Sequence, residues 1–251
     1  MSDGACGREL HFTSGYFILR CHEDGCLGAK PIRQCDGPSA TTTIRSILRR
    51  SHWLAPLRPG RIGTVRADSI RTERLDLVAM TPAFLEASLR GDREQAEQLV
   101  AAIVPEAWAN PGPWAQRRLD QLRADPTLQP WLLRAMVSRS ESTMVGHIGF
   151  HALPGDKSLD ELAPGGVEFG YTVFEQWRRR GYAREAAQSL MKWAHQVHGV
   201  TRFVLSISPT NFASLELARR LDFRRIGSHV DDEDGPEDIF EHHLGGQLPP
   251  K

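Results

Sequence analysis

The 251-residue chain has no excess of charge of either sign: 31 Lys and Arg stand against 31 Asp and Glu. That balance excludes broad electrostatic attraction to nucleic acid or to an anionic membrane as a default mode of action. No apolar run reaches the length of about 18 residues that marks a membrane-spanning helix. The first segment lacks a basic stretch followed by an apolar core, so no secretory signal is read there. Glu9, Glu23, Asp24 and Asp36 also give it acidic residues that transit peptides avoid. A cytoplasmic protein is the expectation. No G-x-G-x-x-G and no G-x-x-x-x-G-K-[ST] follows any strand-like run, so the Rossmann and P-loop cradles are absent. There is no internal repeat.

Cysteine is missing from most of the chain. Cys6, Cys21, Cys26 and Cys35 all lie in the first 35 residues. With His11 and His22 nearby they invite a zinc reading, but structural zinc ligands come as tight pairs, and the closest pair here is Cys21-x4-Cys26. No metal site is expected, and a disulfide framework does not suit a cytoplasmic chain. Residues 1–68 carry 10 Lys and Arg against 6 Asp and Glu, and they show little periodicity. They read as a poorly ordered or atypical extension, or as the product of a start codon upstream of the real one. Ile44 to Arg50 reads as one short basic helix.

From Ile70 the pattern changes, and residues 69–246 read as one domain with residues 247–251 as a tail. Ile70 to Ala79 ends in apolar–polar alternation and reads as a strand. Thr81-Pro82 opens a helix, with Thr as N-cap and Pro in the first turn. Residues 82–90 and 92–103 read as two helices broken at Gly91-Asp92, and a third helix covers 113–124. Strands are expected at Trp131–Val137, Met144–His151 and Val167–Val173. A helix over about 181–197 has Ala183, Ala186, Ala187, Leu190, Met191 and Ala194 on one face. Phe203–Ile207 is a strand, about 212–221 a helix, and Phe223–Val230 with Asp238–Leu244 a closing pair of strands around an acidic turn. A meander followed by a strand–helix–strand–helix unit implies an α+β (α/β mixed sheet) domain, about seven strands with helices on both faces.

The most informative stretch runs from Val173 through Glu175-Gln176-Trp177 to Arg178-Arg179-Arg180-Gly181-Tyr182-Ala183. It leaves a strand, crosses a basic turn and enters a helix. The first turn of a helix has unpaired N–H groups and a partial positive charge, so a phosphate or pyrophosphate fits there. Gly181 allows close backbone approach, and the three arginines add charge. An exposed basic helix cap has the same composition.

Arg178-x-x-Gly181-x-Ala183 matches the [QR]-x-x-G-x-[GA] signature of the GNAT superfamily, the acetyl-CoA-dependent N-acetyltransferases. Val167 to Val173 before it, and Asn211-Phe212-Ala213-Ser214 and Leu221-Asp222-Phe223 after it, resemble the branch that contains the ribosomal-protein N-terminal acetyltransferases. The similarity covers residues 70–244. It implies the GNAT-like acyl-CoA N-acyltransferase fold, in which the fourth strand carries a bulge and splays from the fifth so that the pantetheine arm lies in the gap. Carried over, Tyr171, Thr172 and Val173 line the arm, with the Val173 N–H near the thioester oxygen. The backbone of Arg178, Arg179, Arg180, Gly181, Tyr182, Ala183 and Arg184 holds the pyrophosphate. Asn211 contacts the arm and also suits a helix N-cap. Ser214 is the candidate donor to the leaving thiolate. Many members carry a Tyr where Ala218 stands, so that acid is missing. Asp222 replaces the usual Gly and tolerates a left-handed helix end.

Glu168 is the candidate general base. Alternation puts it on the face of Gly170, opposite Val167, Phe169 and Tyr171. A partly buried Glu with a raised pKa can accept the amine proton. A solvent-facing or ion-paired strand Glu fits the same pattern. On the acceptor side Trp108, Trp114 and Trp131 read as packing residues. His147 and His151 share one strand face with Gly149 between them, where structural or surface roles are the commoner ones. His195, His198, His242 and His243 read as surface residues. The reading is an N-acetyltransferase that moves acetyl from acetyl-CoA to a primary amine, a small molecule or a protein N-terminus, by direct attack in a ternary complex. A non-catalytic acyl-CoA-binding module on the same fold is the alternative. No nucleic acid or membrane partner is expected, and a homodimer is left open.

Overall fold

The computed structural model describes residues 69–245, apart from Asn110, Lys157, Ser158, Asp160, Glu161 and Asp232 to Asp234. The four cysteines, the zinc and disulfide readings, the short basic helix at residues 44–50 and the tail lie outside the described residues.

The elements run β1 (Ser69–Arg71), β2 (Leu75–Ala79), α1 (Pro82–Leu89), α2 (Arg93–Val100), α3 (Pro113–Ala124), β3 (Arg134–Ser138) and β4 (Thr143–Phe150). They continue as β5 (Val167–Val173), α4 (Tyr182–His198), β6 (Arg202–Ile207), α5 (Phe212–Arg220), β7 (Arg224–Asp231) and β8 (Gly235–His243). The strands form a sheet of order β1-β2-β3-β4-β5-β6-β8-β7. Pairing is antiparallel from β1 to β5, parallel between β5 and β6, and antiparallel again through β8 to β7. The one parallel pair is joined by α4, as a crossover requires. Among the described residues no helix is long and apolar enough to cross a membrane.

Local chemistry sets the boundaries. The Thr81 hydroxyl accepts from the Phe84 N–H, and the Asp92 carboxylate accepts from the Gln95 N–H, so each caps its helix as its residue type suggests. Asp222 takes φ 57°, the left-handed end that the sequence assigned to it. Four boundaries depart from expectation: α2 stops at Val100, where Ala101 takes φ 51°, rather than at 103, β8 starts at Gly235 rather than Asp238, and two others have a local cause in hydrogen bonding. The first strand is a hairpin: the Thr72 N–H donates to the Leu75 carbonyl and the Thr72 hydroxyl accepts from the Leu75 N–H, which folds Ser69 back onto Val78. The sheet therefore has eight strands rather than about seven. The strand expected from Trp131 begins only at Arg134, because after Pro130 the Trp131 and Leu132 N–H groups both donate to the Leu128 carbonyl.

The sheet separates two packed layers. Phe150 stacks on Trp193 of α4 at 6.4 Å and on Phe203 at 6.4 Å. His147, three residues back and on the opposite face, packs between Trp108 and Trp114 at 5.4 and 5.2 Å. Helices thus cover both faces. The α4 stripe buries Ala186, Ala187, Leu190, Met191 and Ala194. Full burial of Leu190 and Met191 contributes roughly 1.5–3 kcal/mol each.

Candidate active site

The sheet opens at one place. Between β5 and β6 the ladder consists of two pairs, Val167 with Phe203 and Glu168 with Val204. Both strands continue beyond it. On its other edge β5 pairs with β4 without a break from Phe150 opposite Phe169 to Gly146 opposite Val173. The His151 N–H donates to the Glu168 carbonyl and the Phe174 N–H to the Val145 carbonyl. Hydrogen-bonded positions alternate along an antiparallel ladder, so Gly170 and Thr172 also face β4. The backbone groups of Tyr171 and Val173 face the other way, past the end of the short ladder with β6. The splay implied by the family resemblance is present. Its bulge is not, since the β4–β5 register is regular and the divergence lies wholly on the β6 side. Thr172 departs from its expected place too: its N–H and carbonyl serve the ladder with His147 rather than the gap.

The N-terminus of α4 stands where β5 leads. Gly181, at φ 82°, is its N-cap and makes no side-chain cap, so the N–H groups of Tyr182, Ala183 and Arg184 point forward without intrahelical partners. The first helical bond is from Glu185 N–H to the Gly181 carbonyl, 3.1 Å. These donors and the helix dipole suit an anion. The three arginines are exposed but partly engaged. Arg178 Nε donates to the Val173 carbonyl at 3.0 Å, and Arg180 reaches Glu141 at 3.3 Å and the Gln176 carbonyl at 3.1 Å. Arg179 bends the chain at φ 62°. The Tyr182 ring is buried under Arg74, 4.8 Å from guanidinium carbon to ring centre, so Tyr182 offers this site its backbone alone.

Two residues that sequence reasoning missed brace this turn. Arg74 donates from Nη1 to the Arg180 carbonyl and from Nε to Glu185, 2.7 Å. The Glu185 carboxylate also accepts from the Arg74 N–H and the Thr72 hydroxyl. Burial would raise its pKa; these donors, with the Arg74 charge, outweigh burial and lower it. The only signal in the sequence was an acidic residue in the first turn of a helix.

Glu168 lies on the opposite sheet face, as alternation requires, with its carboxylate 3.5 Å from His151 Nδ1. Both side chains are mostly buried, at 18% and 21% exposure. Burial is the strongest single influence and raises the Glu168 pKa. The charge and hydrogen bond of His151, with smaller effects of Ser206 and His229, overcome it and leave the pKa below the usual carboxylate range. The expected raised pKa is therefore corrected: Glu168 sits against His151 with its pKa lowered. Neither Ser206 nor His229 was singled out from the sequence, because only the sheet order brings β6 and β7 to this face.

His147 is buried to 3% exposure in a box of Trp108, Trp114 and Phe174. Burial pushes its imidazole pKa down to about 3, so it is a neutral packing residue. Trp131 packs on Phe150 and Trp193. His195 and His243 are half-buried rather than surface residues, bonded to the Val200 carbonyl and to Glu241. Among the described residues no group of three or more His, Cys, Asp or Glu is arranged to hold a metal.

The start of α5 borders the gap. Asn211 is its N-cap, the side chain accepting from the Ser214 N–H at 3.2 Å. The Tyr171 hydroxyl donates to the Ser214 hydroxyl at 3.1 Å and so bridges β5 and α5 beyond the last β5–β6 pair. Burial raises the Tyr171 pKa, and the Ser214 bond offsets this in part. Ala218 is fully buried and offers no hydroxyl.

A parallel pair that parts after two residues leaves a slot beside β5, and the uncapped helix N-terminus ahead of it offers donors suited to an anion. A family model described as an acetyltransferase (GNAT) domain matches residues 74–224, and the chain belongs to this family. It is 25% identical over 159 residues to the uncharacterised N-acetyltransferase YjdG of Bacillus subtilis, covering 61% of this chain and 88% of YjdG. It is 25% identical over 92 residues to YnaD of the same organism, an uncharacterised N-acetyltransferase, covering 37% of this chain and about half of YnaD, 49%. Its fold resembles a GnaT-family acetyltransferase structure from Bordetella pertussis at 23% identity and a TM-score of 0.51, covering 69% of this chain and 98% of the other.

Proposed function

We infer that residues 69–246 transfer an acetyl group from acetyl-CoA to a primary amine by direct attack in a ternary complex. One observation carries this reading: the β5 edge past its last pair with β6, at the Tyr171 backbone and the Val173 N–H, leads to the uncapped N-terminus of α4, while Glu168 sits on the opposite face of the same strand. The names of YjdG and YnaD support the choice of nitrogen as the acceptor atom. The N–H groups of Tyr182, Ala183 and Arg184, with the charge of Arg178 to Arg180, bind the pyrophosphate. Asn211 borders the pantetheine arm. The Val173 N–H donates to the thioester oxygen as it gains charge. Glu168, ionised beside His151, takes the proton of the attacking amine, directly or through water. Ser214 stands at the sulfur. The acceptor is a small-molecule amine or a protein N-terminus, and no metal enters the reaction.

Glu168→Gln tests the assignment. Each amine of a panel, peptides with free N-termini, polyamines and aminoglycosides, is incubated with acetyl-CoA and the acetylated product is measured by mass spectrometry. The variant is expected to lose roughly 10²-fold or more in rate while binding acetyl-CoA about as well as the wild type. A variant working at full rate removes Glu168 as base.

A further inference from the structure

The family's usual hydroxyl on the second half of α5 is missing, because Ala218 occupies its place and is packed in the core. The structure carries another hydroxyl pair at the same gap. Tyr171 reaches from β5 and Ser214 from the third residue of α5, and their oxygens are 3.1 Å apart. Three constraints give this bridge a direction. A serine hydroxyl has one proton to give and two lone pairs to accept with. Tyr171 fills one of those lone pairs, so the Ser214 proton points elsewhere. Asn211 fixes the Ser214 backbone by capping its N–H, which sets where the side chain starts. Burial raises the Tyr171 pKa, so the phenol keeps its proton and remains a donor across the working range.

We propose that Tyr171 is a positioning residue that orients the Ser214 hydroxyl as the hydrogen-bond donor to the departing sulfur. The inference rests on the acetyl-transfer reading above. As the carbon–sulfur bond breaks, its electron pair stays on sulfur, and the Ser214 O–H steadies the thiolate. No proton leaves Tyr171 or Ser214. The proton that completes the free thiol is the one the amine gave up to Glu168, returned through water. Tyr171 does not touch the sulfur. It acts by occupying the Ser214 lone pair, and the ordered dipole then lies along the gap when charge develops.

The proposal predicts a property that can be measured without knowing the acceptor. Coenzyme A bound to the wild-type protein should have a thiol pKa below that of free coenzyme A, because the hydroxyl pair stabilises its ionised form. The thiolate absorbs in the ultraviolet, so the complex can be titrated directly by difference absorbance, with binding followed by calorimetry. Ser214→Ala should raise the bound thiol pKa by about one to two units, the effect of losing a hydrogen bond to a charged group. Tyr171→Phe should raise it by about one unit although it removes no contact to sulfur. The double variant should match Ser214→Ala alone, because Tyr171 acts through Ser214. Ser214→Thr keeps the hydroxyl and should restore most of the shift.

If Tyr171→Phe does not fold, Ser214→Ala and Ser214→Thr still test the donor. A bound thiol with the same pKa in wild type and Ser214→Ala overturns the proposal. A shift in Ser214→Ala without one in a folded Tyr171→Phe overturns the role of Tyr171. Failure of the wild-type protein to bind coenzyme A at all overturns the acetyl-transfer reading, and this inference with it.

Discussion

His147 and Glu168 show how neighbours decide the state of a titratable side chain. His147 meets indole rings and almost no water, so its proton is lost and its pKa falls to about 3. Glu168 is also buried, but His151 faces it, so its carboxylate stays charged. The two have separate consequences for stability. Between the ordinary histidine value of 6.5 and about 3 the unfolded chain binds a proton at His147 that the folded chain does not. Stability therefore falls as pH drops through that window, by up to about 1.4 kcal/mol per unit. Glu168 has a depressed pKa, so its contribution is present above the ordinary value of 4.5 and is lost as pH falls through its folded value. Comparing pH 7 with pH 5 isolates His147 from Glu168. Urea unfolding of His147→Phe should show a smaller loss between those two pH values than the wild type. An equal loss would contradict the buried neutral imidazole. The i, i+4 spacing of His147 and His151 was legible in the sequence. Their different fates were not, because Trp108 and Trp114 come from an earlier loop and helix that no periodicity ties to β4.

At the scale of elements, the first turn of α4 is the part the sequence described best. The run from Arg178 to Ala183 marked a strand-to-helix turn with phosphate chemistry, and the structure has an uncapped helix start there. The brace behind it could not be read, since Arg74 lies 111 residues before Glu185 in the chain. The hairpin at Thr72 was hidden for a local reason: neither Gly nor Pro announces a turn there, and a threonine hydroxyl makes it instead. Gly181 now has two reasons to be glycine. Its φ of 82° is strained for any side chain, and a Cβ would stand 3.3 Å from Arg74 Nη2. Gly181→Val should cost about 1–3 kcal/mol of stability and weaken acetyl-CoA binding by moving the first-turn N–H groups. Chemical denaturation and calorimetry check the two effects separately. Unchanged affinity in a folded variant would remove the turn from the binding site.

For the whole molecule, the order of strands and helices was enough to place the fold. A meander feeding a strand–helix–strand unit leaves few arrangements, because a parallel pair needs a crossover and a crossover needs α4. What it did not reveal is that β8 inserts between β6 and β7. Alternation cannot say which arm of a closing hairpin docks. From the edge strand β7, His229 still acts through its charge on Glu168, so part of the site was hidden for the same reason. The slot itself was expected from family resemblance rather than from periodicity: nothing in Val167 to Val173 reveals where pairing with β6 ends.

The central claim is that this slot binds acetyl-CoA. It is tested most directly by thermal unfolding of the full chain with and without that compound. Ligand at 100 times its dissociation constant should add about 2.7 kcal/mol to the stability of the folded state, a clear rise in melting temperature. No rise at millimolar acetyl-CoA would contradict the account, because a slot with an open β5 edge and free helix donors would then hold nothing of that kind.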